Sequence, residues 1–345
     1  MSVQKAIQIQ GPKVAKLVTD APIPPLRPEY IRVKTVAVAL NPTDWKHIDF
    51  RASKGAINGC DYAGVVEAVG SDVQNGLKVG DRVAGFIHGS NQSNHADGAF
   101  AEHVIAKSQL ATKIPDSLSF EAASTLGCGI TTVAQALYQS LELPWPTEPA
   151  ATPFPILIYG GSTATGTLAI QFAKLSGLTV IATSSPRNFD LLKRYGADHV
   201  FDYKSPNVGQ EIRKLTNDNL KHVLDCIAFE STAAICAEAI SSKGGKYSAL
   251  QNVSKFPRDD VVNAATLAYT GFGEPFSKGG KDYPALPDHL AVQDRFWRLV
   301  GELLAQGKIQ PHPHELREGG LGGILGGLDD LRKDAVSGVK LVYRV

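Results

Sequence analysis

Residues 154–177 read FPILIYGGSTATGTLAIQFAKLSG, and this stretch decides the fold of the second half of the chain. A short apolar run ends in two glycines and continues as an amphipathic segment, the layout of a strand, a tight turn and a helix. In a dinucleotide-binding βα unit this turn carries the pattern G-x-G-x-x-G. Here Gly161 and Gly166 occupy the outer positions and Thr163 occupies the middle one. The sequence therefore predicts a nucleotide loop in which hydroxyl groups replace part of the close backbone approach.

The hydroxyl-rich turn is predicted to hold a pyrophosphate. The N-terminus of the following helix supplies free N–H groups and the positive end of its dipole. Gly160 and Gly161 keep the turn tight, and we expect the hydroxyl of Thr163 to point at a phosphate. The residues expected to contact the phosphates are Ser162, Thr163, Ala164 and Thr165.

The segment after the second predicted strand, TVIATSSPRNFD (179–190), indicates which nicotinamide cofactor is bound. Sites specific for NAD place an acid at the end of this strand, where it binds the ribose hydroxyls. Here the first acid is Asp190, and Arg187 precedes it. Because a guanidinium forms charge-assisted bonds with phosphate, the sequence predicts NADPH rather than NADH. The residues expected around the 2′-phosphate are Ser185, Arg187, Asn188 and Tyr203. In the alternative interpretation, Ser185 and Pro186 only cap the next helix.

The pattern along the chain predicts two domains. The first 120 residues carry short β-rich runs separated by turns, which is typical of a compact antiparallel, barrel-like domain. From residue 155 strands and helices alternate, which favours a parallel sheet covered by helices on both faces. The C-terminal segment returns to a helix and one strand, so we expect a split first domain with the second one inserted. The predicted ranges are 1–125 with 285–345, and 126–284.

Three segments are predicted less sharply. Ser119 is a candidate cap for a helix running through SFEAASTLGCGITTVAQALYQSL, whose start is placed only loosely because Glu121 is one residue too close for a capping box. The proline-rich segment 143–155 is interpreted as a surface connector. The doubled glycines in EGGLGGILGGL (318–328) follow no strand, so a flexible loop is favoured over a ligand cradle.

Composition excludes several classes of function. A formal charge of +1 in 345 residues provides no field to recruit nucleic acid or an anionic membrane. An apolar stretch of bilayer length and a signal-peptide core are both lacking. Four cysteines in so long a chain do not make a disulfide framework. We therefore expect a cytoplasmic protein.

Several further motifs resemble those of the medium-chain dehydrogenase/reductase superfamily over nearly the whole chain. They are NPTDWK (41–46), GCDYAGVVEAVGS (59–71), VGDRVAGF (79–86), GAFAEH (98–103), LGCGITT (126–132), the nucleotide loop and SGVKLVY (337–343). The resemblance implies an α/β fold with a GroES-like β-rich catalytic domain and a Rossmann domain, a doubly wound parallel sheet.

The same resemblance predicts that the chain holds no metal. Zinc alcohol dehydrogenases carry Cys, His and Cys where this chain has Asn41, Cys60 and Cys128. Catalytic zinc needs about three good protein ligands, and Asn41 is a poor one, although Cys60 with Asp61 could contribute. The lobe of four closely spaced cysteines that binds structural zinc is also missing.

Within the zinc-free branch, the chain most resembles the fungal stand-alone enoyl reductases that act in trans on polyketide synthases. The segments on which this resemblance rests are GCDYAG, AGFIHGSN, GAFAEH, YGGSTATG, SSPRNFDLLKRYGADHVFDY and GLDDLRKDAVSGVKLVY. The resemblance implies NADPH-dependent reduction of an α,β double bond in an enoyl thioester held by an acyl-carrier domain of a synthase, or of its hybrid with a nonribosomal peptide synthetase. One alternative is a general NADPH-dependent quinone or enone reductase for free small molecules, and another is a non-enzymatic NADPH-binding protein.

The resemblance also implies site residues. Lys46 and Thr131 are expected to act in catalysis, Lys46 by steadying the cofactor or stabilising the enolate and Thr131 by contacting the nicotinamide ribose from the start of its helix. The remaining residues expected to contact the cofactor are Thr43, Asp44, Trp45, Leu250, Gln251, Gly338 and Val339. The acyl chain is expected at Thr132, Tyr269, Thr270, Gly271, Phe272 and Gly273, partly in the glycine-bearing aromatic stretch LAYTGFGEPF (267–276). A monomer is expected, because the stretch after GGKYSAL lacks the apolar strand pair that related dimers use.

Overall fold

The strand, turn and helix predicted at residues 154–177 are present in the computed structural model, which describes residues 2–345. The strands are β1 (Val3–Gly11), β2 (Val14–Pro22), β3 (Tyr30–Ala39), β4 (Asp61–Val69), β5 (Arg82–Phe86), β6 (His103–Lys107), β7 (Ala111–Lys113), β8 (Pro155–Tyr159), β9 (Thr179–Ser184), β10 (His199–Asp202), β11 (His222–Asp225), β12 (Gly245–Ala249), β13 (Val261–Ala265), β14 (Phe276–Lys278), β15 (Lys281–Tyr283), β16 (His314–Arg317) and β17 (Lys340–Arg344). The helices are α1 (Pro42–Phe50), α2 (Phe120–Ala123), α3 (Gly127–Val133), α4 (Ala164–Leu175), α5 (Phe189–Arg194), α6 (Val208–Leu215), α7 (Glu230–Ala239), α8 (Pro287–Ala305) and α9 (Gly320–Arg332). Short 3₁₀ helices cover Ser108–Leu110, Pro186–Asn188 and Ala268–Phe272, and a π-helix covers Ala134–Ser140.

The chain divides into two compact units. The first unit contains the described residues up to Thr131 together with Tyr269–Val345, and the second contains Thr132–Ala268. The sequence pattern had placed residues 126–131 and 269–284 with the nucleotide domain, and here both segments belong to the first unit. The difference has a packing cause: Tyr269 stacks on His88, a residue of the first unit, with ring centroids 4.1 Å apart.

The second unit is built on a parallel sheet. Its strand order is β10-β9-β8-β11-β12-β13, which numbered within the unit is 3-2-1-4-5-6. This order defines a doubly wound fold whose direction of winding reverses between β8 and β11, and ligands bind at the carboxyl ends of the strands at that point. The glycine turn leaves β8 there, so the fold places the predicted nucleotide loop where such a loop functions.

The first unit is built on a mainly antiparallel sheet. Its strand order is β16-β17-β3-β4-β5-β7, with β6 also pairing with β3 and only the β16–β17 pair running parallel. The hairpin of β1 and β2 lies beside it, and apolar side chains from both sheets form one core. The split, β-rich first domain expected from the sequence is therefore present.

The glycine-rich segment predicted as a flexible loop is a helix, α9. Leu321, Ile324 and Leu328 lie on one face of it and are buried in the core of the first unit. A side chain at Gly323 would lie 2.9 Å from the ring of Tyr343, so the glycines allow α9 to approach β17 closely. Burial of the apolar face outweighs the poor helix propensity of glycine.

The helix predicted around Ser119 is interrupted. The Ser119 side chain accepts a hydrogen bond from the amide of Ala122 and caps α2, which ends after one turn at Ala123. The chain resumes as α3 and then as the π-helix. Thr131 therefore lies within α3, and the prediction that it opens a helix is wrong.

Candidate active site

The nucleotide loop is held by the threonine that replaces the middle glycine. Thr163 is the N-cap of α4: its hydroxyl accepts from the amide of Gly166 at 3.0 Å and donates to the carbonyl of Gly160 at 2.8 Å. The hydroxyl is thus used inside the loop, whereas the sequence had predicted that it points at a phosphate. The amides of Ala164 and Thr165 are the first N–H groups of α4, which have no acceptor within the helix.

The glycines of the loop fit a phosphate-binding turn. Gly160 has φ +76°, and a side chain on it would lie 2.8 Å from Ile227, which follows β11. A side chain on Gly166 would lie 2.5 Å from the Gly160 carbonyl oxygen. Because neither position carries a side chain, the N-terminus of α4 can lie close against the turn. The loop is therefore a tight turn leading into a helix N-terminus, although it lacks one glycine.

The end of β9 carries hydroxyls and a cation. Ser184 ends the strand, and exposed Arg187 lies in the 3₁₀ helix that follows. Exposed Tyr203 lies beside them, because its amide donates to the Ser184 carbonyl at 3.4 Å. Lys204, which the sequence analysis did not select, follows directly, and its amide binds the carboxylate of Asp202 at 3.0 Å.

The other residues expected at the cofactor are distributed over both units. Leu250 and Gln251 follow β12 at the carboxyl end of the parallel sheet, where the Leu250 amide donates to the Asp225 carbonyl. Gly338 and Val339 precede β17 in the first unit, and Thr132 is the first residue of the second unit. Gly338 and Val339 thus lie in the first unit, and Leu250, Gln251 and Thr132 lie in the second.

Helix α1 presents the residues of NPTDWK. Asn41 is its N-cap, and a carboxyl oxygen of Asp44 accepts from the Asn41 amide at 2.7 Å. Asp44 is 1% exposed, and its other oxygen has no hydrogen-bond partner among residues 2–345. Burial raises the pKa of Asp44 to about 8, so its carboxyl is largely protonated at neutral pH. Trp45 and Lys46 follow, both half-buried, and burial lowers the pKa of Lys46 while Asp334 opposes the change.

The three positions aligned with zinc ligands are engaged in other contacts. Asn41 donates to the carboxylate of Asp61 at 3.0 Å, and the same carboxylate accepts from the Cys128 amide at 2.5 Å and from the ammonium of Lys340. Burial raises the pKa of Cys60, which disfavours the thiolate that a metal requires. Among residues 2–345, no cluster of three or more His, Cys, Asp or Glu side chains is arranged to hold a metal ion.

Tyr269 is the centre of a packed aromatic group near the start of α1. Its hydroxyl lies 3.2 Å from the Thr43 hydroxyl and 3.5 Å from the Cys60 sulfur. Phe272 packs on Phe86 with ring centroids 5.5 Å apart. The structure therefore brings the predicted substrate residue Tyr269 to the predicted cofactor residue Thr43.

The rest of the predicted substrate stretch surrounds Tyr269. Thr270 and Gly271 are buried beside it, and the Thr270 hydroxyl lies 2.8 Å from a ring nitrogen of His289. Gly273 has φ +69° and ends the turn. The stretch is thus a closely packed turn.

Thr131 is fully buried and is the last residue of the N-terminal segment of the first unit. Its hydroxyl accepts from the indole of Trp297 at 3.2 Å, and its carbonyl accepts from the Gln293 side chain at 2.9 Å. Both partners lie on α8, so this helix fixes the orientation of the threonine.

A charged network that the sequence analysis missed anchors the aromatic turn. Glu274 accepts from the Tyr30 hydroxyl at 2.6 Å and from the ammonium of Lys107 at 2.6 Å. Lys107 is only 1% exposed and also binds Glu29 at 2.7 Å. No local pattern marks these residues, because Glu274 is separated from its partners by more than 160 positions.

Comparisons with known proteins agree with this architecture. Residues 27–116 match the family of alcohol dehydrogenase GroES-like domains, and residues 164–271 match the family of zinc-binding dehydrogenases. The chain is 49% identical to trans-enoyl reductase ACTTS2 of Alternaria alternata over 100% of both chains. It is 48% identical to trans-enoyl reductase resD of Aspergillus sclerotiorum over 99% of this chain and 100% of the relative.

Solved structures support the fold. A putative zinc-dependent alcohol dehydrogenase from Rhizobium etli CFN 42 matches with a TM-score of 0.82 and 23% identity over 100% of this chain and 99% of that one. The CurK enoyl reductase matches with a TM-score of 0.76 and 18% identity over 99% of both chains.

Proposed function

We propose that this chain, which belongs to the family of fungal trans-enoyl reductases, reduces the α,β double bond of an enoyl thioester carried by a polyketide synthase. The observation that carries the proposal is identity of almost half the residues to such a reductase over the full length of both chains. Its two domains are those of the medium-chain dehydrogenase/reductase superfamily, and it is an oxidoreductase.

We infer that NADPH is the cofactor, which when bound supplies hydride to the β-carbon of the substrate. The inference rests on the end of β9, where Ser184, Ser185 and Arg187 stand and no acid precedes Asp190. A charge-assisted bond to the 2′-phosphate contributes roughly 1.5–3 kcal/mol, or about tenfold to a hundredfold in affinity. Ser162, Ala164 and Thr165 would hold the pyrophosphate at the N-terminus of α4, while Thr163 caps that helix.

The residues of the first unit would act on the substrate and the nicotinamide. Reduction of the conjugated double bond places negative charge on the thioester oxygen, which hydrogen-bond donors and cations stabilise. Lys46, whose pKa burial lowers, provides positive charge in α1. Tyr269 keeps its hydroxyl protonated because burial raises its pKa. We assign Lys46 to the enolate, Thr131 to the nicotinamide ribose and the Tyr269 turn to the acyl chain.

Oxidation of NADPH by a short α-methyl enoyl thioester of pantetheine tests this function. We expect turnover with the thioester, little with the matching free enone or a quinone, and a strong preference for NADPH over NADH. Arg187→Ala should raise the KM for NADPH about tenfold to a hundredfold and leave the KM for NADH unchanged. Equal use of both cofactors by the unaltered protein would contradict the assignment of Arg187.

The main alternative is a general quinone or enone reductase with the same cofactor. It would reduce free small molecules at least as well as the thioester. Activity mainly on a free enone would therefore move the chain to that class.

The acyl-carrier domain of a synthase, a monomeric state and a cytoplasmic location complete the proposal. Among the described residues, no helix is long and apolar enough to cross a membrane. We expect light scattering to give the mass of one chain, and a mass of twice that value would contradict the monomer.

A further inference from the structure

The hairpin of β14 and β15 places two lysines directly opposite each other. Its cross-strand pairs are Phe276 with Tyr283, Ser277 with Asp282, and Lys278 with Lys281, closed by Gly279 and Gly280. Side chains alternate between the faces of a strand, so both lysines share the face on which the two aromatic rings stack. Like charges directly opposite each other are destabilising, so this arrangement needs an explanation.

A third cation lies against the same turn. The guanidinium of Arg51 occupies the space that a side chain on Gly279 would need. Burial first, and then Arg51, lower the pKa of Lys278 to about 8. The ammonium of Lys278 donates to a ring nitrogen of His47, whose pKa is lowered to about 3 by burial and by the two cations. Within the cluster of Arg51, Lys278 and Lys281, the hydrogen-bond partner of Lys278 is therefore a neutral imidazole.

The cluster lacks a counter-charge. Among residues 2–345, no carboxylate forms an ion pair with Arg51, Lys278 or Lys281. The nearest acid in sequence, Asp282, lies on the other face of the hairpin and accepts from the Ser277 hydroxyl at 2.6 Å. Two lysines and an arginine without an acid are a combination that binds phosphate.

The position of the cluster relates it to the substrate. The ammonium of Lys278 lies 4.5 Å from the ring centroid of Tyr269, whereas Arg51 and Lys281 are exposed. The cluster thus extends from the aromatic turn to solvent.

We propose that Arg51 and Lys281, the exposed part of the cluster, bind the phosphate of the phosphopantetheine arm that carries the enoyl group. This inference rests on the proposed function and names the part of the substrate that the cluster recognises. The hairpin would then select thioesters that are attached to a carrier. Its cationic residues are not among those expected to contact the cofactor or the acyl chain.

The test compares two small thioesters that differ only in the phosphate. We expect the enoyl thioester of phosphopantetheine to have a KM roughly tenfold below that of pantetheine, the effect of one charge-assisted hydrogen bond. Arg51→Gln combined with Lys281→Gln should abolish this difference and leave kcat on the pantetheine thioester and the KM for NADPH unchanged. Lys308→Gln, which removes an exposed lysine elsewhere in the first unit, is the matched control.

Each other outcome overturns the assignment. Equal KM values for the two thioesters in the unaltered protein would exclude a phosphate site. If the double variant also had a higher KM for NADPH, the cluster would bind the cofactor instead. If the double variant raised the KM only for substrate on an intact carrier domain, the cluster would contact the surface of the carrier protein instead of the phosphate.

Calorimetry separates this inference from the proposed function. Binding of phosphopantetheine alone, weakened in the double variant, supports the site even if no thioester is reduced. If neither protein binds it, the phosphate site is excluded whatever the enzyme assay gives.

Discussion

Lys340→Met should destabilise the first unit by removing the counter-charge of a buried carboxylate. Asp61 is 0% exposed and Lys340 is 4% exposed, and they form an ion pair across 279 positions of sequence. Methionine keeps most of the apolar length of the lysine side chain, so the substitution removes the charge with little loss of packing.

The structure sets the expected size of this effect. Breaking a buried pair by removing one partner costs about 3–5 kcal/mol. Asp61 retains two donors, the Asn41 side chain at 3.0 Å and the Cys128 amide at 2.5 Å, which favours the lower end of that range. A loss of about 3 kcal/mol corresponds to a fall in Tm of roughly 6–12 °C for a unit of this size.

Urea unfolding and thermal unfolding measure the effect, with two further variants as controls. Lys174→Met breaks a half-exposed ion pair with Asp198 and should cost less than about 1 kcal/mol. Adding Asp61→Asn to Lys340→Met should recover most of the lost stability, because the buried charge is gone and an acceptor remains. If Lys340→Met costs no more than Lys174→Met, the ammonium does not compensate Asp61 and the reasoning fails.

Four further perturbations test other parts of the structure. Lys46→Ala should lower kcat much more than it raises the KM for NADPH, because we assign the ammonium to the enolate; unchanged turnover would remove it from the mechanism. Thr163→Ala should reduce stability by about 1 kcal/mol through loss of the N-cap, and Thr163→Gly by only a few tenths, as urea unfolding would report. The pKa of Asp44 is raised from 3.8 to about 8 on folding, so its contribution to stability is complete below about pH 4 and is lost as the pH rises to 8. Between pH 5 and 8, wild type should therefore lose up to about 1.4 kcal/mol per pH unit relative to Asp44→Asn, and parallel pH profiles would contradict this. Glu274→Ala should raise the KM for the enoyl thioester severalfold with the KM for NADPH unchanged, because the buried Lys107 then no longer anchors the aromatic turn; a rise in both would indicate general damage.

The parts of the fold that sequence predicted correctly are those with a local physical signal. The apolar run, glycine turn and amphipathic segment of residues 154–177 determine β8 and α4, since the periods of strand and helix are visible within a dozen residues. The alternation that follows determines a parallel sheet.

Local signals misled where packing outweighs propensity. The glycines of 318–328 indicate a loop, yet α9 forms because its leucine and isoleucine side chains enter the core and its glycines allow close approach to Tyr343. In the same way, Thr163 was expected to serve a phosphate, and its position at the N-cap commits the hydroxyl to the loop itself.

The sequence alone determined the strand, turn and helix of residues 154–177, the alternation that builds the parallel sheet and the class of chemistry that its family resemblance implies. Only the tertiary structure decided which distant groups meet: Asp61 with Lys340, Tyr269 with Cys60, and Lys278 with His47. The physical reason is the distance along the chain over which each effect acts. Backbone propensity and hydrophobic period act over one or two turns of chain, whereas the pairing of a buried charge depends on which side chains the completed fold brings within a few ångströms.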